Sequence, residues 1–289
     1  MSTTSLQLIC EVLTFGTIED ISVPTIIEGL QLADDYYFND EESPLSDAQY
    51  DTLKQYAQRM DPTDAYFTGI GSQVRGGKIK LPHTMGSLNQ VYQGDYTKWV
   101  VEHSLKKETV AISDKLDGMS AMLVYGKDGK LQIAYSRGDG INGADITRHI
   151  SKIHNVPKKI NANGVTTTIR GEVIITPANF EKIKDKVISK SGRKYKNPRN
   201  FVSGRMNASE GQDIVYSHVD FVAYEIVGSD LDKIDQFYHL NNNKFKVVSR
   251  FTAQAGDLDD GFLTGMLNHS REKSEYEIDG LVISKLFVY

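Results

Sequence analysis

The chain has 289 residues, 39% of them apolar and 25% charged, proportions of an ordinary soluble globular protein with room for one large or two modest domains. The single cysteine, Cys10, excludes intrachain disulfides and a cysteine-rich zinc site; no run reaches the ~20 apolar residues of a membrane span or has the order of a signal peptide, so the cytoplasm is the expected setting. A net charge of −5 argues against a protein that coats nucleic acid, and any contact with a phosphate backbone must be local.

In chain order, Ile26, Leu30, Ala33 and Tyr37 recur at helical spacing, with Pro24 where a first turn tolerates it. Ser46 and Gln49 have capping-box spacing, and Tyr50, Leu53, Ala57 and Met60 then line one face of a second helix until Asp61-Pro62 stops it. The glycines between Gly69 and Gly77 predict a hinge. A boundary near Arg75 then separates a small helical domain, residues 1–75, from a larger one, residues 76–289.

Beyond the hinge, strand-like runs dominate at Met119–Tyr125, Leu131–Tyr135, Thr167–Ile175, Val219–Val227 and Ile278–Val288, with a helix opening at Thr176-Pro177. Many strands at hairpin-length spacing with few helices predict an α+β fold whose sheets are largely antiparallel. The seven histidines show no ligand-like spacing, and no internal repeat is visible.

The chemistry concentrates on Lys115-Leu116-Asp117-Gly118. In an extended segment Lys115 and Asp117 point to one face, and Gly118 lets backbone come close to a ligand. A desolvated lysine loses its proton readily, and the amine can attack phosphorus to form a phosphoramide, as nucleotidyltransferases do. A lysine ending a strand before a glycine turn would be spelled the same way. Further segments follow in order: Ser136-Arg137-Gly138-Asp139-Gly140, Arg170-Gly171-Glu172-Val173, Asn197-Pro198-Arg199-Asn200, and Glu277-Ile278-Asp279-Gly280-Leu281-Val282-Ile283. Lys190, Arg193, Lys194, Lys196, Arg199 and Arg205 form a basic run free of acidic residues, readable as a solvated loop or as a local nucleic-acid contact.

Taken together, these segments closely resemble the adenylation region of the NAD-dependent DNA ligases, over about Tyr37 to Ile283. The resemblance implies an ATP-grasp-like nucleotidyltransferase domain preceded by a helical domain that binds the nicotinamide mononucleotide (NMN) half of NAD. Lys115 would attack the α-phosphate of NAD, release NMN, and carry AMP to the 5′-phosphate of a nick in double-stranded DNA. By the same resemblance Asp117 steers the amine or binds ribose, Arg137 contacts ribose or phosphate, Glu172 lies in the nucleotide pocket, and Ser87-Leu88-Asn89 contacts adenosine. Asp279 would sit near the phosphates or a transient Mg²⁺, which needs no dedicated protein cage. Tyr37, Asp47, Tyr50 and Asp51 match the NMN-holding segment, and Lys194, Lys196, Arg199 and Arg205 are the expected DNA contacts. Plainer readings stand beside these. Arg170 and Glu172 could form a cross-sheet ion pair, Gly138-Asp139-Gly140 a simple hairpin turn, Tyr50 core, and the helix aspartates could complement the dipole.

Three positions depart from the family pattern: Phe38 replaces a histidine, Ser113 a glutamate, and Ser284 a lysine expected five residues after Asp279. Lys285 comes one place late, and serves the nucleotide only if a bulge turns it back to the right face. No oligonucleotide-binding barrel, zinc module or helix-hairpin-helix domain is present, so a further C-terminal region or a second subunit, as in a split phage ligase, is expected to supply DNA clamping. Two other readings stay open. One is an ATP- or GTP-using polynucleotide ligase or capping-type transferase; the other is a non-catalytic nucleotide-sensing or DNA-tethering subunit.

Overall fold

After a single 3-10 turn, Ile18–Asp20, come two helices, Val23–Phe38 and Asp47–Met60. Their apolar stripes meet: Ile26, Leu30, Leu53 and Ala57 are wholly buried and Ala33 is 2% exposed, in one cluster with Ile21, Ile27 and Leu45. The stripe runs out at the last residue of the second helix, where Met60 is 56% exposed rather than lining the core as its spacing predicts. A short helix, Ala65–Thr68, follows. The computed structural model describes Ile9, Leu45 and residues 17–38, 47–68, 79–187 and 194–286, less the side chains of 34–38, 47, 48, 51, 65 and 68. The Ser46 cap, the glycine hinge and the boundary near Arg75 lie outside the described residues.

The strands among the described residues are β1 (Ile79–Lys80), β2 (Thr109–Leu116), β3 (Met119–Tyr125), β4 (Leu131–Ser136), β5 (Asn142–Gly143), β6 (Thr167–Ile175), β7 (Val219–Val227), β8 (Lys246–Val247), β9 (Arg250–Gln254) and β10 (Ile278–Lys285). They fall into two compact units, Met1–Ser87 with Arg137–Ala144, and Leu88–Ser136 with Asp145–Tyr289. In the first unit β1 pairs antiparallel with β5. The second holds a three-stranded sheet, β10-β2-β9, and a five-stranded sheet, β4-β3-β6-β7-β8. Every pairing in them is antiparallel except β7 with β8, the α+β arrangement expected.

Alternation sorts the three-stranded sheet into two faces. Val110, Ile112, Leu281 and Ile283 pack with Tyr96 and Val100 of the Tyr96–Glu102 helix and with Leu263 and Met266 of the Asp260–Lys273 helix. The opposite face carries Ala111, Ser113 and Lys115, paired with Ser284, Val282 and Gly280. In the five-stranded sheet Ala121, Leu123, Tyr125, Val173 and Phe221 are wholly buried. Two helices in this unit begin as side-chain capping dictates, Thr176 accepting from the Asn179 N–H and Asn197 from the Asn200 N–H, each followed by proline.

Candidate active site

Lys115 is the penultimate residue of β2, and Asp117-Gly118 carries the chain across from the three-stranded to the five-stranded sheet. The lysine therefore stands at the end of a well-braced strand, with Gly280 of β10 opposite, where an added Cβ would lie against its stem at 3.9 Å. Its ammonium is ion-paired with the Asp279 carboxylate, both side chains partly exposed. The Asp117 N–H donates to the Glu277 carbonyl at 3.1 Å. The Asp117 carboxylate accepts from Arg199 Nη1 at 2.7 Å. Gly118 is required by close approach: a Cβ there would collide with the Val173 carbonyl and the Glu172 side chain.

Glu172 is 8% exposed and accepts from Ser120 Oγ at 3.0 Å across the β3–β6 pair. Its charge adds to burial in pushing the Tyr224 phenol well above its ordinary value. Arg170 reaches across to β7, donating to Glu225 Oε2 at 2.9 Å, next to a register shift in the β6–β7 pairing.

Glu277, given no role of its own within its segment, and Arg271 and Tyr276, which the sequence did not single out, position the acidic end of the site. Partial desolvation, and then the neighbouring Asp117 charge, raise the Glu277 carboxyl above the ordinary glutamate range. Arg271 donates from Nε to the Ile278 carbonyl at 3.2 Å and from Nη2 to the Asp279 carbonyl at 3.4 Å. Tyr276 Oη donates to Asp220 Oδ2 at 2.5 Å and accepts from Lys246 Nζ at 2.5 Å, tethering the start of β10 to the five-stranded sheet. The Glu277–Asp279 alternation was a usable signal for Glu277; nothing in local spacing marks Arg271.

The remaining expected contacts fall as follows. In the first unit Arg137 donates from Nε to the Met85 carbonyl at 3.0 Å and from Nη2 to Ser87 Oγ at 2.8 Å, which joins two of the positions expected to contact the nucleotide. The turn after it has positive φ at Gly138 and Gly140. Leu88 is 59% exposed. Tyr50 Oη lies 2.9 Å from Tyr66 Oη, with the Lys54 ammonium over its ring and its body packed on the helical core. Tyr37 falls in the first helix and Asp47 and Asp51 in the second, their side chains outside the described residues.

Two expectations need correction. Lys285 pairs with Val110, and with no register shift between Gly280 and Lys285 it falls on the face of Leu281 and Ile283. It is Ser284, opposite Ala111, that shares the face of Lys115. Arg205 is 6% exposed and so is not an outward DNA contact; it lies one helical repeat from Pro198 on the buried stripe of Phe201 and Val202, donating to the Glu210 carbonyl at 2.9 Å. Elsewhere in the basic run Lys194 pairs with Asp185 at 2.7 Å and Lys196 is exposed, while Lys190 and Arg193 lie outside the described residues.

Among the described residues no group of three or more His, Cys, Asp or Glu could enclose a metal ion, and no helix is long and apolar enough to cross a membrane.

A strand-end lysine paired with a carboxylate, beside an aspartate–arginine pair and a buried glutamate, makes the equipment of a lysine-centred nucleotidyltransferase. Residues 77–286 match the model of the NAD-dependent DNA ligase adenylation domain, and the chain belongs to that family. A DNA ligase of Acanthamoeba polyphaga mimivirus is 32% identical over 276 residues, covering 93% of this chain and 41% of that protein. A DNA ligase of Fusobacterium nucleatum is 29% identical over 301 residues, covering 94% and 42%. The chain thus spans about two fifths of the length of these relatives. Among solved structures, an archaeal ATP-dependent RNA ligase aligns with a TM-score of 0.44 at 11% identity, covering 75% of this chain and 48% of that one.

Proposed function

We propose that this chain performs the first step of NAD-dependent DNA ligation. Lys115 gives up its ammonium proton, for which the paired Asp279 is the acceptor, and its amine then attacks the α-phosphate of NAD. A P–N bond forms, the pyrophosphate P–O bond breaks, and NMN leaves. AMP then passes from Lys115 to the 5′-phosphate at a nick in duplex DNA. The single observation that carries this reading is the Lys115–Asp279 pair at the end of β2, beside Asp117 with its Arg199 partner. Asp117 and Glu172 belong to the nucleotide's surroundings, as do Ser87, Leu88 and Arg137. Lys285 is left out because of its face.

The donor set fits Mg²⁺. Asp117 and Glu277 lie within electrostatic reach of each other and offer hard oxygen ligands without a cage, as suits an ion that keeps waters and leans on phosphates. When bound, the ion neutralises charge developing on the phosphates. Residues 1–75, through Tyr37, Asp47, Tyr50 and Asp51, are assigned to the NMN half, and residues 76–289 to adenylation. Lys194, Lys196 and Arg199 are assigned to DNA. Sealing draws on duplex-clamping modules beyond these 289 residues, on the same chain or on a partner, in the cytoplasm of a cell or of a phage-infected one.

Intact-mass measurement tests the reaction. The protein gains the mass of one AMP with NAD and Mg²⁺, and Lys115→Ala does not. Equal charging by ATP would favour an ATP-using transferase, and a wild type that gains nothing would favour the sensing subunit. Asp51→Ala stops charging by NAD and spares transfer of AMP from enzyme already charged.

A further inference from the structure

A second group of cations gathers around a buried histidine–tyrosine pair. His149 has no exposed surface; its Nδ1 lies 2.7 Å from Tyr216 Oη and its Nε2 2.9 Å from the Ala208 carbonyl. Arg148 reaches over it, its Nε 3.1 Å from His149 Nε2, and donates from Nη2 to the Ala208 carbonyl at 2.5 Å. The Lys152 ammonium stands 5.2 Å from the centroid of the Tyr216 ring. Arg205 closes the group from inside, with a buried Nε that meets no acceptor.

No ion pair among the described residues neutralises this charge: none of Arg148, Lys152 and Arg205 pairs with a carboxylate, and the acidic group felt at the Tyr216 hydroxyl is Asp213. Burial lowers the His149 imidazole below its ordinary value; the hydrogen bond to Ala208 opposes this, and Arg148, Arg205 and Lys152 lower it further. The imidazole therefore stays neutral between cations.

A guanidinium stripped of water without a counter-anion is costly, and an anion supplied from outside relieves it. Arg148 and Lys152 are exposed at the rim, so an incoming anion meets a planar fork and a point charge first. In a chain of net charge −5 this is a local reversal of sign. Nothing in the adenylation step uses these residues.

We propose that Arg148 and Lys152, with Arg205 lending its charge from beneath, form a phosphate site around His149–Tyr216 that takes a backbone phosphodiester of duplex DNA. The assignment to DNA rests on the function proposed above. Arg148 and Lys152 meet the phosphate oxygens, and the Ala208–Gly211 loop, held by the Ala208 and Glu210 carbonyls, frames them.

The test is binding of the uncharged full chain to a fluorescent nicked duplex as a function of salt. Removing a cation that neutralises one phosphate should flatten the log–log salt dependence by about 0.9. Lys152→Ala is expected to flatten it by about that amount and Arg148→Ala/Lys152→Ala by about twice as much, while Arg148→Lys/Lys152→Arg keeps the wild-type slope. AMP gained from NAD stays unchanged in all of them. Lys152→Ala touches only a ring face, which keeps the test open if the double variant folds poorly. A wild-type slope in Lys152→Ala, no salt-dependent binding by the wild type even at low salt, or loss of NAD charging alongside the slope would each overturn the site. Absence of an AMP adduct on the wild type would count against the proposed reaction and leave the slope comparison standing.

Discussion

Arg199 donates to Asp117 at 2.7 Å across 82 residues of sequence, joining the Asn-Pro-Arg-Asn segment to the lysine motif. Both side chains are partly exposed, at 41% and 30%, so the pair contributes less than about 1 kcal/mol to stability. Its weight falls on the reaction. Arg199→Ala is expected to slow formation of the AMP adduct on the order of 10²-fold, by freeing Asp117 to shift, with a melting temperature close to wild type. A large loss of stability with unchanged adenylation per folded molecule would show the pair to be structural.

The face assignment of the last strand makes opposite predictions for neighbouring residues. Lys285→Ala should leave charging by NAD unchanged, since its side chain lies on the face away from Lys115. Ser284→Lys puts an ammonium on the face of Lys115, where the family resemblance implies one, and should speed charging. Rates of adduct formation by intact mass check both, and a slower Lys285→Ala enzyme would reverse the assignment.

Gly118 has no room for a methyl group, because the obstructing atoms include the backbone carbonyl of Val173. Gly118→Ala should cost about 1–3 kcal/mol in denaturant unfolding. The strand crossing that carries Asp117 must shift to accommodate it, so adenylation should fall at least tenfold. A variant as stable and active as wild type would mean the crossing yields easily.

Glu277 gives a pH-dependent prediction. The residue is exposed, but partial desolvation of its carboxyl, and then Asp117, raise it above the ordinary value of 4.5, so its contribution to stability is present below that value and lost as pH rises through the raised one. At neutral pH the carboxylate repels Asp117 and disfavours the fold. Glu277→Gln should therefore melt slightly above wild type at pH 7, by no more than about 2 °C given its exposure, with the gap closing near pH 4. A gap that widens on acidification would contradict the sign.

Local pattern determined much of this protein by itself. The limits of β3, β6 and β7 agree with the runs of β-branched and aromatic residues between turn formers, and the helix at Thr176-Pro177 begins at its cap. These features depend on neighbours within a turn or a strand; the two-residue period made Lys285 conditional on a bulge, and the register of β10 on β2 shows none between Gly280 and Lys285. The lysine motif and its companion segments likewise carried the resemblance to the family that the chain belongs to. Tertiary structure decided which charges meet. Arg199 finds Asp117, Arg170 finds Glu225, Arg271 reaches the Ile278 and Asp279 carbonyls, and Arg205 turns inward to join Arg148 and Lys152 near His149. Partners of long side chains are set by strand register and by which helix face is buried, both properties of packing between distant segments.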